Sequence, residues 1–144
     1  LKARRARVME QLGPDAMLIL FSQPTRNYSL DVSYEYRQDS NLYYLTGLIQ
    51  PDTVLVLMPG NASRREILFV KDKDPVQEHR HGRVLSHREV SDLTGIRTVI
   101  STAQFEPFVA AMLIRRGSGA VDEKEAAAFF DALAAGRARI ALAL

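Results

Sequence analysis

Apolar positions along this chain fall into two patterns, unbroken short runs and stripes at helical spacing, and their order predicts the fold. Val8, Met9 and Leu12 share one face of a helix over Lys2 to Leu12, and Gly13-Pro14 supplies its stop. The run Ala16-Met17-Leu18-Ile19-Leu20-Phe21 between prolines reads as a strand covered on both faces. Thr53 to Met58 is a second such strand, Pro59-Gly60-Asn61-Ala62-Ser63 a turn, and Glu66 to Val70 a third strand and hairpin partner of the second. Ser86-His87-Arg88-Glu89 is a capping box with Leu85 and Val90 as its hydrophobic staple, opening a helix that ends near Gly95. Thr98-Val99-Ile100 is a short strand. Phe105, Phe108, Val109, Met112 and Leu113 recur at helical spacing, with Pro107 in the first turn where its missing N–H costs little. Ala120-Val121 reads as a last brief strand. Asp122 then caps a helix with Glu125 three residues on, a buried stripe of Ala126, Phe129, Phe130 and Leu133, and an end at Gly136. The order helix, strand, loop, strand, strand, helix, strand, helix, strand, helix predicts an α/β fold, a mixed β-sheet flanked by helices. The aromatic stripes are read as core.

One segment stands outside this pattern. Gln23 to Asn41 carries three tyrosines, two arginines and two aspartates with no clear periodicity, and leads through Leu42-Tyr43-Tyr44-Leu45-Thr46-Gly47 toward the second strand. Loops beyond about 12–15 residues are usually functional or disordered, and the aromatic content argues against disorder. Asp31, Tyr34, Tyr36, Arg37 and Asp39 combine phenols with both signs of charge, the residue types that grip partners and ligands. The alternative is structural: tyrosines packing the loop onto the domain and Arg37 pairing with Asp39.

Composition narrows the class. A length of 144 residues fits a single domain, and 47% apolar residues are enough for its core. The 19 basic and 17 acidic residues nearly cancel, and no Lys/Arg block points to nucleic acid. Lys2, Arg4, Arg5 and Arg7, and again Arg115 and Arg116, read as exposed helix faces or ends. With no cysteine, disulfides and thiolate metal sites are excluded. No apolar run approaches the ~20 residues of a membrane span and no signal-peptide pattern is present, so a cytoplasmic location is expected. The chain starts at Leu1 and stops in Ile140-Ala141-Leu142-Ala143-Leu144, and both ends read as cut from a longer protein.

No catalytic set emerges from the residues. His79, His81 and His87 invite a metal reading, but Arg80 and Arg83 would repel a cation and His87 falls in the first turn of a helix, where it is expected to face solvent. Gly-x-Ser-x-Gly and the glycine-rich phosphate loops are absent. The pairs Asp72/Asp74 and Glu123/Glu125 flank predicted surface elements.

The stretch Tyr36-Arg37-Gln38-Asp39-Ser40-Asn41-Leu42-Tyr43-Tyr44-Leu45-Thr46-Gly47, with Pro51-Asp52 and the strand after it, resembles the N-terminal domain of Xaa-Pro aminopeptidases (aminopeptidase P), which precedes a pita-bread metallopeptidase domain. The resemblance continues through Ile67-Leu68-Phe69-Val70 and Asp74-Pro75. Glu78 to Leu85 is similar to that family's Glu-x-Trp-x-Gly-Arg-Arg-Leu segment, with Arg80 in place of the tryptophan and Val84 in place of the second arginine.

The resemblance implies that 1–144 is a single non-catalytic N-terminal domain. The two divalent metal ions of such enzymes, often manganese, are held by two aspartates, a histidine and two glutamates of the C-terminal domain, so no metal ligand or cofactor is expected in this chain. The implied partners are its own catalytic domain, further copies in a homo-oligomer, and proline-containing peptides through the parent enzyme, with no nucleic acid and no membrane. Such domains help wall the entrance to a catalytic site, often a neighbouring subunit's. Asp31, Tyr34, Tyr36, Arg37, Arg80 and His81 are the entrance and interface candidates, Asp31 falling where the family has an acidic residue. A guanidinium at Arg80 in place of an indole changes shape and charge at that mouth. Two other readings remain open: a peptide- or protein-binding module like the histone-chaperone reuse of this fold, and the N-domain of a prolidase or creatinase.

Overall fold

Gly13, with φ 78, turns the chain off the end of α1 (Lys2–Leu12) and into β1 (Ala16–Phe21), as the Gly13-Pro14 signal predicted. The computed structural model describes residues 1–29, 32–33, 35–76, 78 and 82–143. A two-stranded ribbon, β2 (Asn27–Ser29) with β3 (Val32–Ser33), follows β1. After it come α2 (Ser40–Thr46), β4 (Val54–Leu57), β5 (Glu66–Val70), α3 (His87–Thr94), β6 (Thr98–Ser101), a 3-10 turn at Thr102–Gln104, α4 (Phe105–Leu113), α5 (Ala127–Ala134) and β7 (Arg139–Ala143).

The main sheet has the order β6-β5-β4-β1-β7. β1–β4 and β4–β5 are antiparallel, β1–β7 and β5–β6 parallel, so the mixed α/β sheet read from the sequence is the one observed. Because side chains alternate across a strand, each unbroken apolar run feeds two cores at once. Met17, Ile19, Val54, Val56, Ile67 and Phe69 face one side, where Phe108 and Met112 of α4 and Phe129 of α5 cover them. Leu20, Leu55, Leu57, Leu68 and Val70 face the other, under Leu42 and Leu45 of α2 and Val90 of α3, with Val8 and Met9 of α1 alongside. Burying a side chain such as Phe69 contributes about 1.5–3 kcal/mol. Helices on both faces are why these strands read as continuous rather than alternating.

The predicted capping box is present: the Ser86 hydroxyl accepts from the Glu89 amide, the Glu89 carboxylate accepts from the Ser86 amide, and the helix stops at left-handed Gly95. Several expectations need correction. The stretch after Gln23 is not loop throughout. Asp39 N-caps a helix from Ser40 and Gly47, φ 71, ends it in the left-handed region, so a cap and a stop were both written in the sequence. Ala120 and Val121 are buried but pair in no strand among the described residues. The last strand is β7 instead, parallel to β1 with Ala16 opposite Arg139 and Leu20 opposite Ala143. The Asp122 carboxylate does accept from the Glu125 amide at 2.8 Å, as the cap predicted, but residues 123–126 form turns and the helix itself starts at Ala127; the Glu125 carboxylate accepts from the Ser63 hydroxyl and the Ser63 and Arg64 amides. Arg5, read as part of an exposed basic face, is fully buried.

Candidate functional site

The tyrosine-rich segment leaves a cavity of about 650 Å³ at the C-terminal end of β1. Gln23, Pro24 and Arg26 form one wall; Glu35, Tyr36, Arg37, Gln38 and Asp39 form the other. The second wall is fixed at its base by α2. The Asp39 carboxylate accepts from the amides of Asn41 and Leu42, both at 2.9 Å, satisfying two donors that a helix start leaves unpaired. That duty replaces the Arg37–Asp39 pairing considered from the sequence; among the described residues, Arg37 is recorded in no ion pair and is exposed.

Tyr36 is locked from two sides. Its phenol donates to Gln38 Oε1 at 2.9 Å and shares a hydrogen bond with Ser22. Gln38 Oε1 also accepts from the Asp39 amide, and its Nε2 donates to the Gln50 carbonyl at 3.0 Å. Gln50, buried, accepts from the Leu85 amide through its side-chain oxygen. Ser22 and Thr53 bind each other through Thr53 N to Ser22 Oγ at 3.1 Å and Ser22 N to Thr53 O at 2.8 Å. One polar chain therefore runs from the end of β1 through Tyr36, Gln38 and Gln50 to the segment before α3. Burial pushes the Tyr36 phenol above its ordinary 10.0, the Asp52 and Asp39 carboxylates push the same way, and the hydrogen bonds of Ser22 and Gln38 oppose them. At neutral pH Tyr36 is a protonated phenol on the cavity wall, its single O–H donated to Gln38 Oε1.

A second cavity of about 570 Å³ meets the first at Gln23 and Pro24. Phe21, Val54 and Phe105 give it an apolar floor, and Asp52 and Lys71, 3.5 Å apart, stand at its rim. Asp52 has φ 54, a left-handed backbone that non-glycine residues rarely adopt. Nearby, Asp72 holds Ser101 Oγ at 2.5 Å and lies 3.0 Å from His87 Nε2. His87 is thus half-buried against a carboxylate, not turned to solvent as its place in the first helical turn suggested.

Of the six residues nominated from the sequence, the structure brings Tyr36 and Arg37 to one cavity. Asp31, Tyr34, Arg80 and His81 lie outside the described residues, as does His79. Among the described residues from Lys73 to Val84, Glu78 Oε1 accepts from the Val84 amide and lies 3.9 Å from Lys73 Nζ. Sequence reasoning missed Ser22, Gln38 and Gln50 as the members that fix Tyr36. Gln50 left one signal, a lone amide between the apolar Leu48-Ile49 and Pro51. Among the described residues, no three His, Asp or Glu side chains gather into a metal site, and no helix is long and apolar enough to cross a membrane.

The family model described as "Aminopeptidase P, N-terminal domain" matches residues 1–121. The Xaa-Pro aminopeptidase of Haemophilus influenzae is 32% identical over 102 residues, covering 71% of this chain and 24% of that protein. Human Xaa-Pro aminopeptidase 3 is 34% identical over 106 residues, 71% of this chain and 21% of that protein. Among solved structures, Pseudomonas aeruginosa aminopeptidase PepP superposes with a TM-score of 0.71 at 28% identity, over 81% of this chain and 26% of that one. Escherichia coli aminopeptidase P with the inhibitor Pro-Leu gives 0.69 at 28% identity, over 75% and 25%. The chain spans about a quarter or less of the length of these relatives.

Proposed function

This chain belongs to the aminopeptidase P N-terminal domain family, and on that premise we propose that it is the non-catalytic N-terminal domain of a metallopeptidase that removes an N-terminal residue preceding proline. The family match over residues 1–121 carries this reading. Its partners are then its own catalytic domain and further copies of the parent in a homo-oligomer, with proline-containing peptides passing its walls.

In the parent, two divalent metal ions would polarise the scissile carbonyl and activate water. The described residues of this chain do not fit such a group, since no three ligating side chains converge among them. Their part is positional. Tyr36, held as a neutral phenol between Ser22 and Gln38, and the exposed guanidinium of Arg37 line a cavity open to a passing peptide. The Arg37 guanidinium can orient a chain through its carbonyls and carboxylates, while the Tyr36 O–H stays with Gln38 and its ring shapes the wall; neither breaks a bond.

Kinetics on the intact parent enzyme test this. Arg37→Gln is expected to raise KM for an Xaa-Pro peptide by about tenfold, the loss of one charge-assisted hydrogen bond, with kcat unchanged. Unchanged KM and kcat would remove Arg37 from the substrate path, and failure of the parent to hydrolyse any Xaa-Pro peptide would overturn the aminopeptidase reading. The 144-residue chain alone is expected to turn over nothing with added manganese.

A further inference from the structure

We infer that α1 is a strap for the cavity wall, docking and opening together with α2 as one unit. Arg4 and Arg5 of α1 supply the cationic end that α2 lacks. Each helix is incomplete alone, and the two deficits are opposite in sign. Lys2, Arg4 and Arg5 occupy the first turn of α1, where the helix dipole is positive, with no acidic residue there and no capping side chain. α2 has seven residues, well short of the ~12–15 that an isolated helix needs in water, and no basic residue in its last turn.

Docking answers both deficits. Arg4 Nη1 donates to the Tyr44 carbonyl at 2.9 Å, and its guanidinium carbon lies 4.3 Å from the centre of the Tyr44 ring. Arg5 Nη1 donates to the Leu45 carbonyl at 2.8 Å, while its Nη2 goes to Glu66. Adjacent cations of α1 therefore cap adjacent carbonyls at the negative end of α2. Charges that disfavour α1 at its own start find their counterpart there. The apolar contacts run the same way, with Leu42 and Leu45 of α2 and Val8 and Met9 of α1 in one core cluster.

α2 in turn holds the wall. The Asp39 carboxylate accepts from the Asn41 and Leu42 amides at its start. The Asp39 amide donates to Gln38 Oε1, which also takes the Tyr36 phenol. A contiguous set of contacts thus leads from Arg4 to the cavity. Ser22 and Gln50 hold Tyr36 and Gln38 from the sheet side, so opening of the strap frees Arg37 and Asp39 before the Tyr36 ring. Nothing in this coupling depends on what the parent hydrolyses.

Native-state hydrogen exchange of the 144-residue chain, read by nitrogen-15 NMR, tests the strap. Arg4 is exposed, so Arg4→Ala leaves the core intact. The variant should speed exchange of the Val8 and Met9 amides of α1 and of the Asp39, Leu42, Tyr43 and Gly47 amides around α2 by one common factor. That factor is about fivefold, as expected for an exposed cation–π contact with its hydrogen bond. The amides of Leu55, Val56 and Leu68 in β4 and β5 should keep their rates. Arg7→Ala removes another exposed cation of α1, outside these contacts, and should change none of the rates by more than about twofold. Faster exchange in one helix without the other would make α1 and α2 independent units. An equal rise in β4 and β5 would make the effect global. No change in either helix, or the same rise with Arg7→Ala, would leave the arginine cap without weight. Any of these results overturns the inference.

Discussion

The guanidinium of Arg5 lies against the carboxylate of Glu66, 61 positions away in sequence, with Nη2 donating to Oε2 at 3.2 Å and Nε 3.1 Å from Oε1. The second contact is ionic only, since Arg5 Nε meets no hydrogen-bond geometry. Nη1 donates to the Leu45 carbonyl at 2.8 Å, so one buried cation ties α1 to the last turn of α2 and the start of β5. Removing one partner of a buried pair leaves an uncompensated charge, at a cost of about 3–5 kcal/mol. Glu66 retains 18% exposure, which places Glu66→Ala at the lower end, near ~3 kcal/mol in urea unfolding. The double variant Arg5→Met, Glu66→Leu should recover most of that loss; a Glu66→Ala cost under ~1 kcal/mol would show the pair to be screened by solvent.

Gly60 is required by close approach. A Cβ there would stand 2.3 Å from the Pro14 carbonyl oxygen and 3.3 Å from Ala128 Cβ. Backbone cannot yield as a flexible side chain would, so Gly60→Ala should destabilise the chain by about 1–3 kcal/mol. A melting temperature equal to that of the parent chain would refute the contact.

Asp39 can be tested apart from any ligand. Asp39→Ala should lose the cap of α2 and cost about 1 kcal/mol, while Asp39→Asn, which can still accept from the Asn41 and Leu42 amides, should lie within a few tenths. Because α2 carries Leu42 and Leu45 into the core, equal stability of the Ala and Asn variants would mean that packing alone sets this helix.

Acid should loosen two surface ties. Glu125 is held below its ordinary 4.5 by the Ser63 hydroxyl first and by the Ser63 and Arg64 amides; Glu89 is held low by the Ser86 amide and hydroxyl, with Arg83 adding. A carboxyl whose folded pKa lies below its unfolded one contributes stability that is complete above the unfolded value and lost as pH falls through the folded one. The melting temperature should therefore drop below about pH 5, and Glu125→Gln should flatten that drop. An identical acid profile for the variant would show that Glu125 plays no part.

Tyr36 is expected to titrate late. With its folded pKa raised above 10.0 by burial and the nearby carboxylates, it favours the folded state below that value and loses the contribution as pH rises through the raised one. Phenolate absorbance should show a step above pH 10 that disappears in Tyr36→Phe. Persistence of that step in the variant would assign it to another tyrosine.

Local rules carried much of this fold. The Gly13 stop, the Ser86–Glu89 box, the Gly95 end and the hairpin of β4 and β5 each depend on neighbours in sequence, and each was readable there. α2 was equally local, capped by Asp39 and closed by Gly47, but its polar flank hid it in a segment read as loop. The candidate site was legible only in part: Tyr36 and Arg37 stood out by residue type, while Ser22 and Gln50, which position Tyr36 directly and through Gln38, did not.

By itself the sequence determined what periodicity and caps encode: strands apolar on both faces, helices laid over them, and a motif that resembles one family. Tertiary structure alone decided which residues at long separation meet. Arg5 reads as one more surface cation until Glu66 and the Leu45 carbonyl close around it. Ile140 to Leu144 reads as an apolar tail until β1 offers Arg139 to Ala143 a parallel edge. Charge pairing and sheet edges are satisfied by whatever the fold brings near, and nothing in the local pattern specifies that partner.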